Sequence, residues 1–258
     1  MESVVKTKVS KQIGYMQLNR PDKRNALSAE LVEQSIHALQ ELDLHPEVKA
    51  IIITGEGPAF CAGGDIADIR GLNGAGDIAA WMKNAARFTK AIVDLNKYVI
   101  AAVHGYAAGA GFSLALASDF IVADRTAKFI SSFTNIGLIP DLGLTKLLTE
   151  RVPLPLAKEW IASGRALSAE ELHSKGLINR LSDDDVVKEA EEFSQCIMEG
   201  SPLSRMYEKK LLNSAEDLSV DSALLQETIT QSLLLNTEDH LEGVAAFLDK
   251  RNPAFKGN

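Results

Sequence analysis

Two glycine-rich loops hold the residues with the clearest chemical potential in this chain. Phe60-Cys61-Ala62-Gly63-Gly64-Asp65-Ile66 follows an apolar run at 50–54, and His104-Gly105-Tyr106-Ala107-Ala108-Gly109-Ala110-Gly111 follows another at 98–103. Both consist largely of small residues, whose backbone amides can approach a ligand closely. The second loop runs straight into a helical stretch, so its last amides lie at a positive helix end that favours an oxyanion or phosphate. Two loops after two strands of one sheet can each give one N–H to the same oxygen, which is an oxyanion hole. The alternative is a pair of ordinary turns packed closely against helices.

Other catalytic signatures fail on spacing. No Gly-Lys-Ser/Thr phosphate loop occurs, and the pairs Gly55/Gly57 and Gly109/Gly111 lack the third glycine of a dinucleotide fingerprint. The histidines His37, His45, His104, His173 and His240 never pair at metal-ligand spacing, so no metal site is expected. Gly111-Phe112-Ser113-Leu114-Ala115 approaches a nucleophile elbow, but the preceding strand ends about ten residues too early. Cys61 has no base nearby in the sequence to form its thiolate.

The loops need a scaffold, and the apolar pattern supplies one. Residues 4–9 and 13–18 are extended segments separated by a polar break, and residues 28–44 have helical spacing with Ser28 as N-cap. A strand at 49–54, a helix at 77–95, a strand at 98–103, a helix at 110–117 and a strand at 120–123 follow. This alternation implies right-handed crossovers and a largely parallel sheet. Trp81 and Phe88 share one stripe of the 77–95 helix and are read as pocket wall or core. The rest of the chain reads as helices at 155–163, 168–175, 185–198, 203–213, 220–235 and 237–248. No low-complexity joint divides it, which suggests one α/β domain with a helical C-terminal extension suited to assembly.

Composition narrows the function classes. The 258 residues are 46% hydrophobic and 24% charged, which excludes a disordered chain. A net charge of −8 argues against nucleic-acid binding through bulk electrostatics. The two cysteines, Cys61 and Cys196, form no disulfide framework and fit a reducing compartment. Met1-Glu2-Ser3-Val4 lacks the pattern of a signal peptide, and no apolar run approaches the roughly 18 residues of a membrane span. A soluble, cytoplasmic protein with no membrane partner is expected.

At the two loops the sequence resembles the crotonase family, the enoyl-CoA hydratases and isomerases. Leu18-Asn19-Arg20-Pro21-Asp22-Lys23-Arg24-Asn25-Ala26-Leu27, Gly137-Leu138-Ile139-Pro140 and Phe247-Leu248-Asp249-Lys250-Arg251 also match, in order along the chain. The resemblance implies a crotonase-like spiral of ββα turns over residues 1–195, with a helical C-terminal region at 196–258 for trimerisation. It implies a homotrimer or dimer of trimers, and an acyl-CoA thioester substrate that brings coenzyme A with it, so that no separate cofactor is expected. By position, Gly64 and Ala110 would carry the two oxyanion amides. Arg24, Ala26, Ala62, Asp65 and Ile66 would line the CoA channel, with Arg24 near the phosphates. Phe247 and Lys250 resemble residues that reach the CoA of a neighbouring subunit. Without the resemblance, Arg24 and Lys250 read as solvated surface charge.

The pattern departs from the hydratases at two places. Where they carry two glutamates that hold and ionise water, this chain has Ser113 and Phe133, and Phe133 would dry the pocket. Asp141 sits where isomerase-type members carry a catalytic aspartate, among them the ring-epoxide isomerase of phenylacetate breakdown. One base suffices for a double-bond shift, since the proton leaves one carbon and returns two carbons away. A competing reading makes Asp141 the N-cap of the helix that follows, its carboxylate occupied by backbone N–H groups. The resemblance thus implies an acyl-CoA isomerase with Asp141 as base, with a hydratase and a non-catalytic acyl-CoA-binding subunit as alternatives.

Overall fold

The computed structural model describes residues 3–258; Met1 and Glu2 lie outside it. The chain opens with a hairpin of β1 (Val5–Ser10) and β2 (Ile13–Leu18), joined by Lys11 and Gln12, both in left-handed conformation with φ of 52° and 66°. Such a two-residue turn matches the natural twist of a hairpin. Helix α1 (Ala29–Leu44) starts at Ser28, whose hydroxyl accepts from the Leu31 N–H at 3.2 Å. Strand β3 (Ala50–Gly55), the short α2 (Ile66–Arg70), the long α3 (Gly74–Asp94) and β4 (Tyr98–Val103) follow. Next come β5 (Tyr106–Ala108), α4 (Ala110–Ala117), β6 (Phe120–Asp124) and β7 (Lys128–Ile130). Then α5 (Leu144–Thr149), α6 (Leu154–Ser163), β8 (Ala166–Ser168), α7 (Ala169–Ser174) and β9 (Arg180–Ser182) lead to the terminal helices.

The main sheet has the order β1-β2-β3-β4-β6-β9 and is parallel except at its β1 edge. Its central strands are mostly apolar because both faces are covered. Ile51, Ile53, Val99, Ala101 and Val103 face a core shared with α1, α3 and α4, while Ala50, Ile52, Ile100 and Ala102 face α8 (Val186–Met198). Every residue of α4 is buried, which explains its run of alanine, glycine and leucine without an amphipathic face. A second sheet, β5-β7-β8, stands apart from the first. Its strands are three residues long, too short for a periodic signal, and the sequence pattern does not reveal them.

The expected division at residue 195 falls within α8, which packs on the sheet. Beyond it, α9 (Pro202–Ser214) is fastened to the sheet by the fully buried Lys209. The Lys209 ammonium donates to Asp119 Oδ2 at 2.8 Å and to the Lys97 carbonyl at 3.0 Å. Helices α10 (Val220–Leu234) and α11 (Glu238–Asp249) complete the chain and expose Leu224, Leu225, Ile229, Leu241 and Phe247. Among the described residues, no helix is long and apolar enough to cross a membrane.

Candidate active site

The two glycine-rich loops are pinned to each other. Cys61 N–H donates to Tyr106 O at 3.0 Å and Ala108 N–H to Cys61 O at 2.9 Å, so the loops run side by side as a short parallel ladder. On its other side the first loop pairs with the 18–27 segment, Leu27 N–H donating to Gly63 O and Asp65 N–H to Leu27 O. There is no room between the loops for side chains. A Cβ on Gly63 would stand 2.9 Å from Ala108 O, and one on Gly111 only 2.2 Å from Cys61 O. Gly109 has φ 52° and ψ −123°, a conformation open essentially to glycine alone.

These hydrogen bonds bypass two amides. The N–H groups of Gly64 and Ala110 have no partner among the described residues. Ala110 opens α4, where the helix dipole adds positive potential. A Cβ on Gly63 would lie 3.5 Å from the Ala110 nitrogen, so the two free amides belong to backbone segments in contact. Aromatic rings close the space around them. Trp81 Cη2 would be 3.3 Å from a Cβ on Gly64, and Phe133 Cζ 3.8 Å from one on Gly109. Phe133 is 5% exposed.

Asp141 is held one hydrogen bond away from α4. The Ser113 hydroxyl, one turn past Ala110, donates to the Asp141 carbonyl at 3.0 Å. The Asp141 carboxyl caps nothing. The cap position of α5 is Gly143, in left-handed conformation, with no side-chain hydrogen bond, which corrects the N-cap reading of Asp141. Asp141 Oδ1 is buried and without a partner, and burial raises the carboxyl's pKa to about 6 with no charged neighbour contributing. Two unpaired amides flanked by Trp81 and Phe133 thus lie on loops joined, through Ser113 of α4, to the backbone of an Asp141 whose carboxyl has a pKa raised to about 6.

The sequence profile of the "Enoyl-CoA hydratase/isomerase" family matches residues 8–258. This chain belongs to the enoyl-CoA hydratase/isomerase family. It is 34% identical over its full length to the 1,2-epoxyphenylacetyl-CoA isomerase of Escherichia coli, whose whole length is also covered. It is 36% identical over 95% of its length, and 94% of the relative's, to a probable enoyl-CoA hydratase of Mycobacterium bovis. The solved structure of an enoyl-CoA hydratase from Polaromonas superposes with TM-score 0.91 at 36% identity, covering 97% of this chain and 99% of that one. The fold is the crotonase spiral with helices at its C-terminus. Enzymes of this family are hydratases or isomerases that act on acyl-CoA substrates.

The expected CoA-channel residues fall into two groups. Ala62, Asp65 and Ile66 lie in the first loop and Arg24 and Ala26 in the segment paired with it, Ala62 N–H donating to Arg24 O at 2.9 Å. Arg24 is exposed, forms no ion pair among the described residues, and has φ of 48°. Ala26 and Ala62 are half-buried and Ile66 is exposed. The Asp65 carboxylate is already occupied, accepting from the Ala67 N–H at 3.0 Å and from Arg20 at 2.9 Å. Its side chain fixes the start of α2. Phe247, 83% exposed, and Lys250 lie on and just past α11, with no hydrogen bond or ion pair to either loop among the described residues.

The other candidates are structural. Cys61 is fully buried, and burial pushes its thiol up to about 12, so it is no nucleophile at neutral pH. Among the described residues, no three His, Cys, Asp or Glu side chains cluster as metal ligands. Asn25 escapes a reading of the sequence. Fully buried with φ of 56°, it accepts from Arg20 N–H at 2.8 Å and donates to Glu56 O and Ala59 O, locking the turn beneath the first loop. Only its place between two loops reveals that role.

Proposed function

We propose that the protein is an acyl-CoA isomerase, shifting a double bond in an enoyl-CoA thioester or rearranging an activated acyl chain. The Gly64 and Ala110 amides hold the thioester oxygen, while Asp141 takes a proton beside the carbonyl and returns it two carbons away. Negative charge passes to the oxygen as the enolate forms, and each amide donor there is worth roughly 2.7–4 kcal/mol. The observation that carries this reading is Asp141 Oδ1, buried and without a hydrogen-bond partner among the described residues, on a residue whose backbone is tied to the helix that Ala110 opens. The name of the Escherichia coli relative agrees with it. Coenzyme A enters as part of the substrate, and no separate cofactor is invoked.

Water addition is the second reading, favoured by the names of the hydratase relatives. Against it, the Ser113 hydroxyl is committed to the Asp141 carbonyl and Phe133 is a buried ring, so neither position activates water. Incubation with 3-enoyl-CoA and 2-enoyl-CoA, with products weighed by mass spectrometry, separates the possibilities. Interconversion without mass gain supports the isomerase, gain of one water the hydratase, and tight binding without turnover a binding subunit.

The proposal extends to assembly. Apolar side chains exposed along α10 and α11 fit a homotrimer or dimer of trimers. In such an assembly Phe247 and Lys250 would meet the CoA of a neighbouring copy. Sedimentation analysis tests this, and a monomer at working concentration would contradict it.

A further inference from the structure

The turn that carries Asp141 is strained and is clamped from two sides. Asp141-Leu142-Gly143-Leu144 closes with Leu144 N–H donating to Asp141 O at 3.0 Å. Its two central residues are both left-handed, with φ of 48° at Leu142 and 84° at Gly143. Glycine adopts this conformation freely, but for leucine it brings Cβ against the neighbouring carbonyl oxygen. A turn with this geometry normally takes Asn or Asp with Gly at its centre. A leucine there requires support from the surrounding structure.

That support comes from two hydroxyls on two different helices. From α4, Ser113 Oγ donates to Asp141 O at 3.0 Å; its other acceptor, Gly109 O, is farther away at 3.5 Å. From α3, Thr89 Oγ1 donates to Leu142 O at 3.0 Å. Both carbonyls of the strained segment are thus held in place. Ser113 is fully buried and Thr89 half-buried, so water does not readily replace either bond.

We propose that Ser113 and Thr89 are positioning residues, which hold the Asp141–Leu142 backbone so that the Asp141 Oδ1 stays buried and unpaired, available as the base. Ser113 stands three residues after Ala110, on the same face of α4. One rigid helix therefore carries both the amide offered to the thioester oxygen and the hydroxyl that sets the place of the base. The inference rests on the isomerase reading, in which Asp141 is the base. Without the clamps the turn relaxes, the carboxyl moves toward water, and its pKa falls toward that of an ordinary carboxylate.

The test uses Ser113→Ala, Thr89→Val and Thr89→Ser, with Asp141→Asn as reference. The Asp141 carboxyl is titrated in the ligand-free protein by difference infrared spectroscopy, and isomerisation of 3-hexenoyl-CoA is followed in parallel. The expected result is an inflection near pH 6 in the unaltered protein, displaced downward by one unit or more in Ser113→Ala and Thr89→Val. In those variants kcat falls roughly 10- to 100-fold, as a displaced base would cause, while KM stays within about twofold. Thr89→Ser keeps the hydroxyl and restores both values. If Ser113→Ala fails to fold, the half-buried Thr89 pair still decides the matter. Folded variants that keep the inflection and kcat of the unaltered protein overturn the clamp, even where Asp141→Asn is inactive. Full turnover by Asp141→Asn overturns the isomerase reading, and the inference with it.

Discussion

The Ser113 hydroxyl donates to the backbone carbonyl of Asp141 across 3.0 Å, joining residues 28 positions apart in sequence. Through this bond the helix that begins with a free amide at Ala110 also holds the Asp141 backbone. Its Oδ1 is buried and unpaired, and among the described residues the carboxyl has no ion pair and caps no helix, so burial raises its pKa to about 6.

The first prediction concerns stability. The folded pKa of Asp141, about 6, lies above the ordinary aspartate value of 3.8, so the folded state holds the proton more tightly. Stability from this group is full at low pH and is lost as pH rises through about 6. Asp141→Asn escapes that loss. After discounting for partial exposure, it is expected to be more stable than the unaltered protein by on the order of 1–2 kcal/mol at pH 8. The advantage disappears near pH 4. Urea unfolding at the two pH values checks this, and equal stability at both would contradict the burial account.

A base must be ionised to accept a proton. The isomerisation kcat/KM is therefore expected to rise about tenfold per pH unit below about 6 and to level off above it. A pH–rate profile from 4.5 to 8 shows whether it does. A limb centred near 4 would mean that Asp141 is not desolvated in the working enzyme.

Gly109→Ala probes the amides. At φ 52° and ψ −123°, an alanine cannot keep the backbone path that leads into Ala110. Turnover is expected to fall by about 10²–10³-fold, as for loss of an oxyanion donor. Circular dichroism verifies that the chain is folded. A folded variant with normal turnover would remove Ala110 from the mechanism.

Lys209→Met tests the anchor of α9. It leaves Asp119, which also accepts from the Val99 N–H at 2.7 Å, as a buried charge without its partner. A loss of about 3–5 kcal/mol is expected. Denaturant unfolding gives the value, and a loss below about 1 kcal/mol would mean the pair is not effectively buried.

Much of the scaffold was legible in the sequence because its signals are local. Ser28 ahead of an apolar stripe marks a helix start, and Ile51-Ile52-Ile53 marks a strand covered on both faces. The glycines at 63, 64, 109 and 111 mark loops whose backbones approach closely, and the structure brings those backbones into contact. Asp141 was harder. Asp followed by Leu-Gly-Leu reads as a helix cap, because nothing in the residue types shows that Leu142 takes a left-handed conformation and passes the cap position to Gly143. The clamps at Ser113 and Thr89 were invisible for the same reason, since each joins residues distant in sequence through a backbone carbonyl. Phe247 is exposed on α11 and Lys250 just past it, where the residue types mark only a surface.

The central claim is that Asp141 carries the proton of an isomerisation. Its most direct test is incubation of the protein and of Asp141→Asn with 3-enoyl-CoA in deuterated water, with products followed by mass spectrometry. The account predicts 2-enoyl-CoA and no 3-hydroxyacyl-CoA from the unaltered protein, with deuterium entering only to the extent that the Asp141 proton exchanges with solvent before it is returned, and turnover reduced by about 10²–10⁴-fold in Asp141→Asn. Undiminished turnover by Asp141→Asn, or a product heavier by one water, would contradict it.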